Sequence, residues 1–373
     1  IGNQLMDIKN KKKVLFICRQ SDNYKDAAYC AFRKYSGLFT SARLMVDMLN
    51  TSDNIEAKIV IVNDNNDIDR EVHGYKPSVV IIEALWVVPE KFEILQKLHP
   101  KVTWIIRTHS DVAFLATEGM SLDWINRYLD YKNLVLAPNS IKGYNDIMFI
   151  IKHKYGHLPN YHEYEDRVVY LPNFYNVDSI NELDLPFRED ATNSSQIDIG
   201  CFGAIRPLKN QLNQAIAACK FADQIGKNLN FHINGTRLEG EKGTANAVLK
   251  NIRQLFLHSP KHRLIEHDWM PHSEFLRLLA SIDLGMQVSF TETFNIVTAD
   301  MISVGVPMVV SKEIYWMPYY TKAETTDVNN IVRHMHLVYK TRNFPGMMEI
   351  NKRYLRSFTK TTKHIWFKYI SYI

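Results

Sequence analysis

The stretch from Ser289 to Val310, SFTETFNIVTADMISVGVPMVV, decides the reading of this chain. Glu292 sits in a turn at the start of a helix, and a second carboxylate, Asp300, follows with seven residues between them. Gly305 and Pro307 stop the helix, because glycine just past a helix end and proline shortly after it do not continue the coil. A β-branched run then begins at Val309 and Val310. Eight residues amount to about 800° of helical rotation, which puts the two carboxylates on one side, two turns apart. Such a pair can hold two hydroxyl-bearing parts of one elongated ligand. The helix start between them, at Thr293, Phe294 and Asn295, offers N–H groups to an anion such as a diphosphate. A sugar nucleotide has that layout: sugar, diphosphate, ribose.

Upstream, Ile197 to Phe202 (IDIGCF) reads as a buried strand, followed by Gly203, Arg206, Lys209 and a helix over Gln211 to Ile225. Glycine lets a backbone come close to a phosphate, and two cations can neutralise a diphosphate leaving group. Asn230 to Gly235 (NFHING) is a second strand, ending in a turn at Asn234 and Gly235, both expected to contribute to a nucleotide site. Arg263 to Trp269 is a third. Ser273 is expected to cap a helix over Glu274 to Ala280, and Leu284 to Val288 is a short buried strand. In the N-terminal half, Lys13–Cys18, Ala57–Val62, Ser78–Glu83 and Val102–Arg107 are β-branched runs separated by helical stretches, with a further strand over Val168 to Leu171. This alternation predicts an α/β fold, with parallel sheets covered by helices on both faces. Ligands of such sheets bind beyond the carboxyl ends of the strands. There the sequence places Gly37, which opens a helix, and His109, which follows the fourth strand.

Together these motifs resemble the retaining GT-B glycosyltransferases of the glycogen-synthase-like and sucrose-synthase-like group. The resemblance covers roughly residues 14–320 and is carried by Glu292 and Asp300 (the family's Glu-x7-Glu, with Asp for the second Glu), and by Arg206 and Lys209. It is also carried by His109 and by Leu171-Pro172-Asn173-Phe174, which is similar to the family's Pro-Asn-Gly hinge. It implies two Rossmann-like domains facing each other across a cleft, residues 1–175 and 195–349, with residues 350–373 forming a helix that crosses back to the first. It implies His109 and Glu292 at the sugar, Arg206 and Lys209 on the diphosphate, Asp300 on the ribose and base-edge contacts near Trp269 and Met270. Asn295 stands where the family usually has glycine, and Gly37 is the one glycine left of a Gly-Gly donor loop.

Composition fits this picture. A chain of 373 residues, 46% of them hydrophobic, exceeds the size at which a single core usually divides. The acidic, polar run from Ile180 to Ser195 reads as a linker. Cys18, Cys30, Cys201 and Cys219 form no CxxC motif, which points to free thiols in a reducing cytosol. No apolar run reaches the roughly 18 residues that span a bilayer, and Lys9 to Lys13 with VLFIC lacks a cleavage site, so a cytoplasmic location is expected, host cytoplasm if the source is viral. His153, His157 and His162 lack ligand spacing for zinc, and no Asp-x-Asp loop suits a metal-bound donor, so neither metal nor cofactor is expected; a UDP-sugar is the expected co-substrate.

The net charge of +5 gathers at Lys9 to Lys13 and from Lys352 to Lys368. That tail reads as the terminal helix, with peripheral contact to an anionic membrane or to nucleic acid as the alternatives. The stretch from Asp64 to Glu90 also resembles glycosyltransferase-like proteins of tailed phages, which would make DNA an acceptor. Three functions stay open: transfer to a glycan, lipid-linked sugar or small molecule; glycosylation of modified DNA bases; and non-catalytic binding of a sugar nucleotide.

Overall fold

Strands and helices alternate along the chain. The computed structural model describes residues 10–19, 36–236, 238–239 and 243–373; Lys9 and Cys30 lie outside the described residues. The chain forms two compact units, residues 1–174 with 361–373, and residues 175–360.

In the first unit the order is β1 (Lys12–Arg19), α1 (Gly37–Leu49), β2 (Ile55–Val62), α2 (Asp67–Tyr75), β3 (Val79–Glu83), α3 (Lys91–Leu98), β4 (Thr103–Thr108), α4 (Ser121–Tyr128), β5 (Leu134–Pro138) and α5 (Ile141–Tyr155). The strands form one parallel sheet in the order β2-β1-β3-β4-β5. Period-two alternation explains why the runs are apolar throughout. Ile17, Ile82, Ile106 and Leu136 pack into one core cluster, and their neighbours Phe16, Ile81, Ile105 and Val135 into another. Each face is buried, at about 1.5–3 kcal/mol per large apolar side chain.

Two expectations change here. The run from Leu134 to Pro138 is the fifth strand of this sheet. Val168 to Leu171 instead lies alongside it as an edge, with one bridge to Leu136 and three backbone hydrogen bonds.

The second unit contains β6 (Gln196–Gly200), α6 (Gln211–Gln224), β7 (Asn228–Ile233), α7 (Thr244–Leu257), β8 (Arg263–Glu266), α8 (His272–Ala280), β9 (Leu284–Gln287), α9 (Ile296–Ser303), β10 (Met308–Ser311), β11 (Lys322–Ala323), α10 (Val328–Thr341) and the start of α11 (Met347–Tyr372). Its sheet is parallel, in the order β11-β10-β9-β6-β7-β8. Helix α8 begins at His272 with Pro271 in the cap position, so Ser273 lies inside the first turn rather than capping it.

The run read as a linker is packed into this unit. Ile180 and Ala191 are buried, and Asp190 receives hydrogen bonds from Arg342 (3.0 Å) and Asn343 (2.8 Å). Helix α11 starts in the second unit and ends in the first, where Trp366 and Ile370 join the cluster on β1 and Trp366 Nε1 donates to Pro172 O at 2.7 Å.

Among the described residues no helix is long and apolar enough to cross a membrane.

Candidate active site

The second unit brings its loops together at the carboxyl ends of β6, β7 and β9. Gly203 has φ +117, a left-handed conformation that favours glycine, and Asn234 Oδ1 accepts its N–H at 2.8 Å. Asn234 thus clamps the turn that precedes the cations. At Gly235 a Cβ would lie 2.9 Å from Glu266 Cβ, so this glycine permits the close approach of β8.

A set of buried amides joins the loop after β6 to the loop after β9. Asn210, at φ +59, donates to Val288 O (2.9 Å), Gln214 accepts from Val288 N (2.8 Å) and Phe290 N donates to Leu208 O (3.0 Å). The result holds Lys209 against Glu292. Their side chains form an ion pair at only 12% and 8% exposure. Burial pushes the Glu292 carboxyl up, but Lys209 and Arg206 outweigh it and hold the group below its ordinary range. Arg206 is paired as well, with Glu239 at 2.9 Å. Both expected diphosphate cations therefore already face a carboxylate.

Glu292 does not ride on the helix. It precedes the first helical residue, Ile296, by four positions, so the rotation argument for the two carboxylates fails and the intervening loop sets their relation. Asn295 caps α9, its Oδ1 accepting from Thr298 N at 2.8 Å, while its Nδ2 donates to Gln287 Oε1 at 2.9 Å. It sits at φ +59, which explains how asparagine replaces the glycine of the resembling proteins. Thr293 is buried beside it. The Phe294 ring is a core group stacked near Trp316 and Phe358, with centroids 5.7 and 5.5 Å away, so only its backbone is placed to meet a ligand.

Asp300 lies on α9, buried, and its Oδ1 accepts from Tyr175 Oη and faces His272 Nε2, both at 2.7 Å. Trp269 and Met270 lie in the half-buried loop between β8 and α8.

The first unit holds the other two expected residues. Gly37 opens α1, capped by Ser36, whose Oγ accepts from Phe39 N at 3.1 Å. His109 follows β4 and belongs to a polar cluster that sequence reasoning missed. Glu83 and Arg107 are register partners on β3 and β4 and both side chains are fully buried. Arg107 Nη1 donates to Glu83 Oε2 (3.1 Å), and Arg107 Nε to Leu171 O (3.0 Å). Arg107 Nη2 also donates to Asn173 Oδ1. His109 Nε2 contacts Glu83 Oε2, and Asn139 Nδ2 lies 3.4 Å from His109 Nδ1. A carboxylate can only accept, which assigns the proton to Nε2 and makes Nδ1 the acceptor nitrogen. Burial pushes the His109 pKa down, more than Glu83 raises it, so the imidazole is neutral. The signal that could have revealed this cluster is a charged residue closing each of two adjacent apolar strands.

Among the described residues no group of three or more His, Cys, Asp or Glu is arranged to hold a metal ion.

Solved structures share this architecture almost end to end. An OtsA trehalose-6-phosphate synthase without ligand superposes with a TM-score of 0.69 at 9% identity, covering 97% of this chain and 98% of that one. The N-terminal domain of Candida albicans trehalose-6-phosphate phosphatase gives 0.66 at 10% identity, covering 97% of each. The fold is GT-B. An E. coli structure described as bound with UDP-2-fluoro glucose gives 0.65 at 7% identity, covering 96% of this chain and 98% of that one. No protein-family model matches the sequence, and no curated protein matches it. The GT-B likeness to the synthases thus belongs to the fold. The stretch from Asp64 to Glu90 forms α2 and β3 of an ordinary parallel sheet, and its likeness to phage proteins finds no support among these structures.

Proposed function

We propose that this protein is a retaining, metal-independent glycosyltransferase that moves a sugar from a UDP-sugar to a hydroxyl of a small saccharide. The observation that carries the reading is the buried Lys209–Glu292 pair, held by the amides between two loops at the strand ends, with Arg206 beside it. The pair places a cation for the diphosphate next to a carboxylate for the sugar. Neighbours named as UDP-forming trehalose-phosphate synthases, and one named for glycosyl transfer with retention, support the donor and the stereochemistry. They also favour a sugar phosphate over a glycan, a lipid-linked sugar or DNA as acceptor.

In this reading the first unit holds the acceptor and the second the donor. The bond between the anomeric carbon and the diphosphate oxygen breaks, and its electron pair leaves with UDP. Lys209, Arg206 and the N–H groups at the start of α9 stabilise that charge. The acceptor oxygen bonds to the same face of the anomeric carbon, and its proton passes to the departing phosphate oxygen, the nearest base on that face. Neutral His109, steadied by Glu83, orients a sugar hydroxyl, and the nucleotide base lies along Trp269 and Met270.

The test is a panel of nucleotide sugars against monosaccharides and their phosphates, reading thermal stabilisation, donor hydrolysis and transfer. UDP-sugars are expected to stabilise the protein. Glu292→Gln and His109→Ala are expected to lose at least a hundredfold in transfer while still binding UDP, His109→Ala with wild-type affinity and Glu292→Gln at least as tightly, because Lys209 is then relieved of its competing carboxylate. Near-normal transfer by either variant would remove its role.

A further inference from the structure

We infer that the solvent face of α11 docks the phosphate backbone of double-stranded DNA. Residues 350–373 carry six Lys and Arg (Lys352, Arg353, Arg356, Lys360, Lys363 and Lys368) and no Asp or Glu. Their charge of +6 exceeds the +5 of the whole chain, so the other 349 residues together carry −1. The excess charge of this protein is the charge of one helix.

Packing decides where that charge points. Asn351, Leu355, Thr359, Thr362, Trp366 and Ile370 are buried, three or four positions apart, and define one face of α11. At 3.6 residues per turn, Arg353, Lys360, His364 and Lys368 fall within about 80° of one another on the opposite face, over a rise of about 22 Å. All four are exposed. Lys363 is exposed beside them, its Nζ 5.8 Å from the centre of the Phe367 ring. Arg356 differs, because it is paired with Glu349 at 2.5 Å and with Asp178 at 3.1 Å. Among the described residues no carboxylate pairs with Arg353, Lys360, Lys363 or Lys368.

The partner that fits such a face is rigid and anionic along its length. Duplex DNA carries about one negative charge per 1.7 Å, and binding to its backbone needs cations and no apolar contact. A helix that adsorbs to a membrane needs an apolar face to enter the lipid. In α11 that face, with Leu355, Trp366 and Ile370, is buried in the protein. The exposed apolar and aromatic side chains of the helix, Ile350, Tyr354 and Tyr372, gather at its two ends and form no continuous strip. Ser357 and Ser371 share the outer face with the cations and are exposed with them. DNA is here a docking partner and not the acceptor, so the inference stands apart from the transfer reaction.

The test measures binding of the full chain to an unmodified duplex of about 25 base pairs by fluorescence anisotropy, with no sugar nucleotide, at about 50 and about 200 mM salt. Four phosphate contacts predict a fall in affinity of about a hundredfold over that interval. Lys360→Gln, Lys363→Gln and Lys368→Gln together should weaken binding at least about tenfold at the lower salt and leave a salt effect of only about fourfold. Arg at the same three positions should keep wild-type binding. A control with the same change of charge on exposed lysines elsewhere, Lys97→Gln, Lys101→Gln and Lys132→Gln, should lose less than about threefold. Wild-type binding by the glutamine variant of α11, or an equal loss in the control, would overturn the inference. A chain that leaves the duplex unbound at the lower salt overturns it too, and adhesion to phosphatidylserine vesicles in that case would assign the face to a membrane.

Discussion

At the scale of single residues, the site is a set of charges that are already paired. In the proposed donor site, diphosphate binding would exchange the carboxylate partners of Lys209 and Arg206 for phosphate oxygens, so the gain is smaller than for bare cations. Lys209→Ala and Arg206→Ala are each expected to weaken UDP binding by about 1.5–3 kcal/mol, with much smaller losses for uridine, measured by calorimetry. Equal losses for both ligands would place the cations elsewhere. His109 supplies a second expectation, from pH. Its ordinary value is 6.5 and the fold lowers it, so the unfolded chain binds the proton first as pH falls. Stability fully present above 6.5 is therefore lost below it. The carboxyls of Glu83 and Glu292 are lowered from 4.5 and keep contributing until the pH drops beneath that value. Between 6.5 and 4.5, His109→Gln should lose less melting temperature than wild type. That Arg206, Lys209, Glu292 and His109 stand at strand ends or turns was legible in the sequence, because a short apolar run comes shortly before each of them. Glu83, Tyr175 and His272 were not, since their partners lie 26, 125 and 28 residues away and no local pattern announces them.

Among the elements, α9 shows how local chemistry sets the loop that precedes it. Its eight residues follow an asparagine cap in the left-handed region and end before Gly305, at φ +80. Asn295→Ala removes the cap and the bond to Gln287 and strains the backbone, and should cost about 1–2 kcal/mol. Asn295→Gly keeps the backbone freely and should cost distinctly less, as chemical denaturation of the two variants can show. Equal costs would mean that the cap bond alone matters. The strands of the second unit were readable to within two residues or so at most ends, because each apolar run is short and bounded by glycine or charge. The start of α9 was misread. A turn of the form Thr-Glu-Thr-Phe-Asn has enough polar character to pass for a first helical turn, and only the φ of Asn295 reveals the boundary. In the first unit, β5 was overlooked because LVLAP ends in proline, which an edge strand tolerates.

For the molecule as a whole, the donor reading predicts where a nucleotide is felt. At a hundredfold excess over its dissociation constant, a ligand that binds only the folded state stabilises it by about 2.7 kcal/mol. Hydrogen exchange with UDP present should slow at residues 203–210 and 288–303 of the second unit. Protection confined to the first unit would refute the donor assignment. The parallel, doubly covered sheets were legible from the β-branched runs, whereas the packing of residues 175–195 was not, since an acidic, polar segment can be held by a few side-chain anchors. One feature of the architecture bears on how the protein is made. Trp366 and Ile370 complete the core on β1, and Lys12 Nζ donates to Ile370 O at 2.9 Å, across 358 positions of sequence. On a ribosome that face of the first sheet, although synthesised early, stays open until the last helix has emerged from the exit tunnel. Vectorial folding of the N-terminal half is thus left unfinished for the whole time that the second unit is being translated.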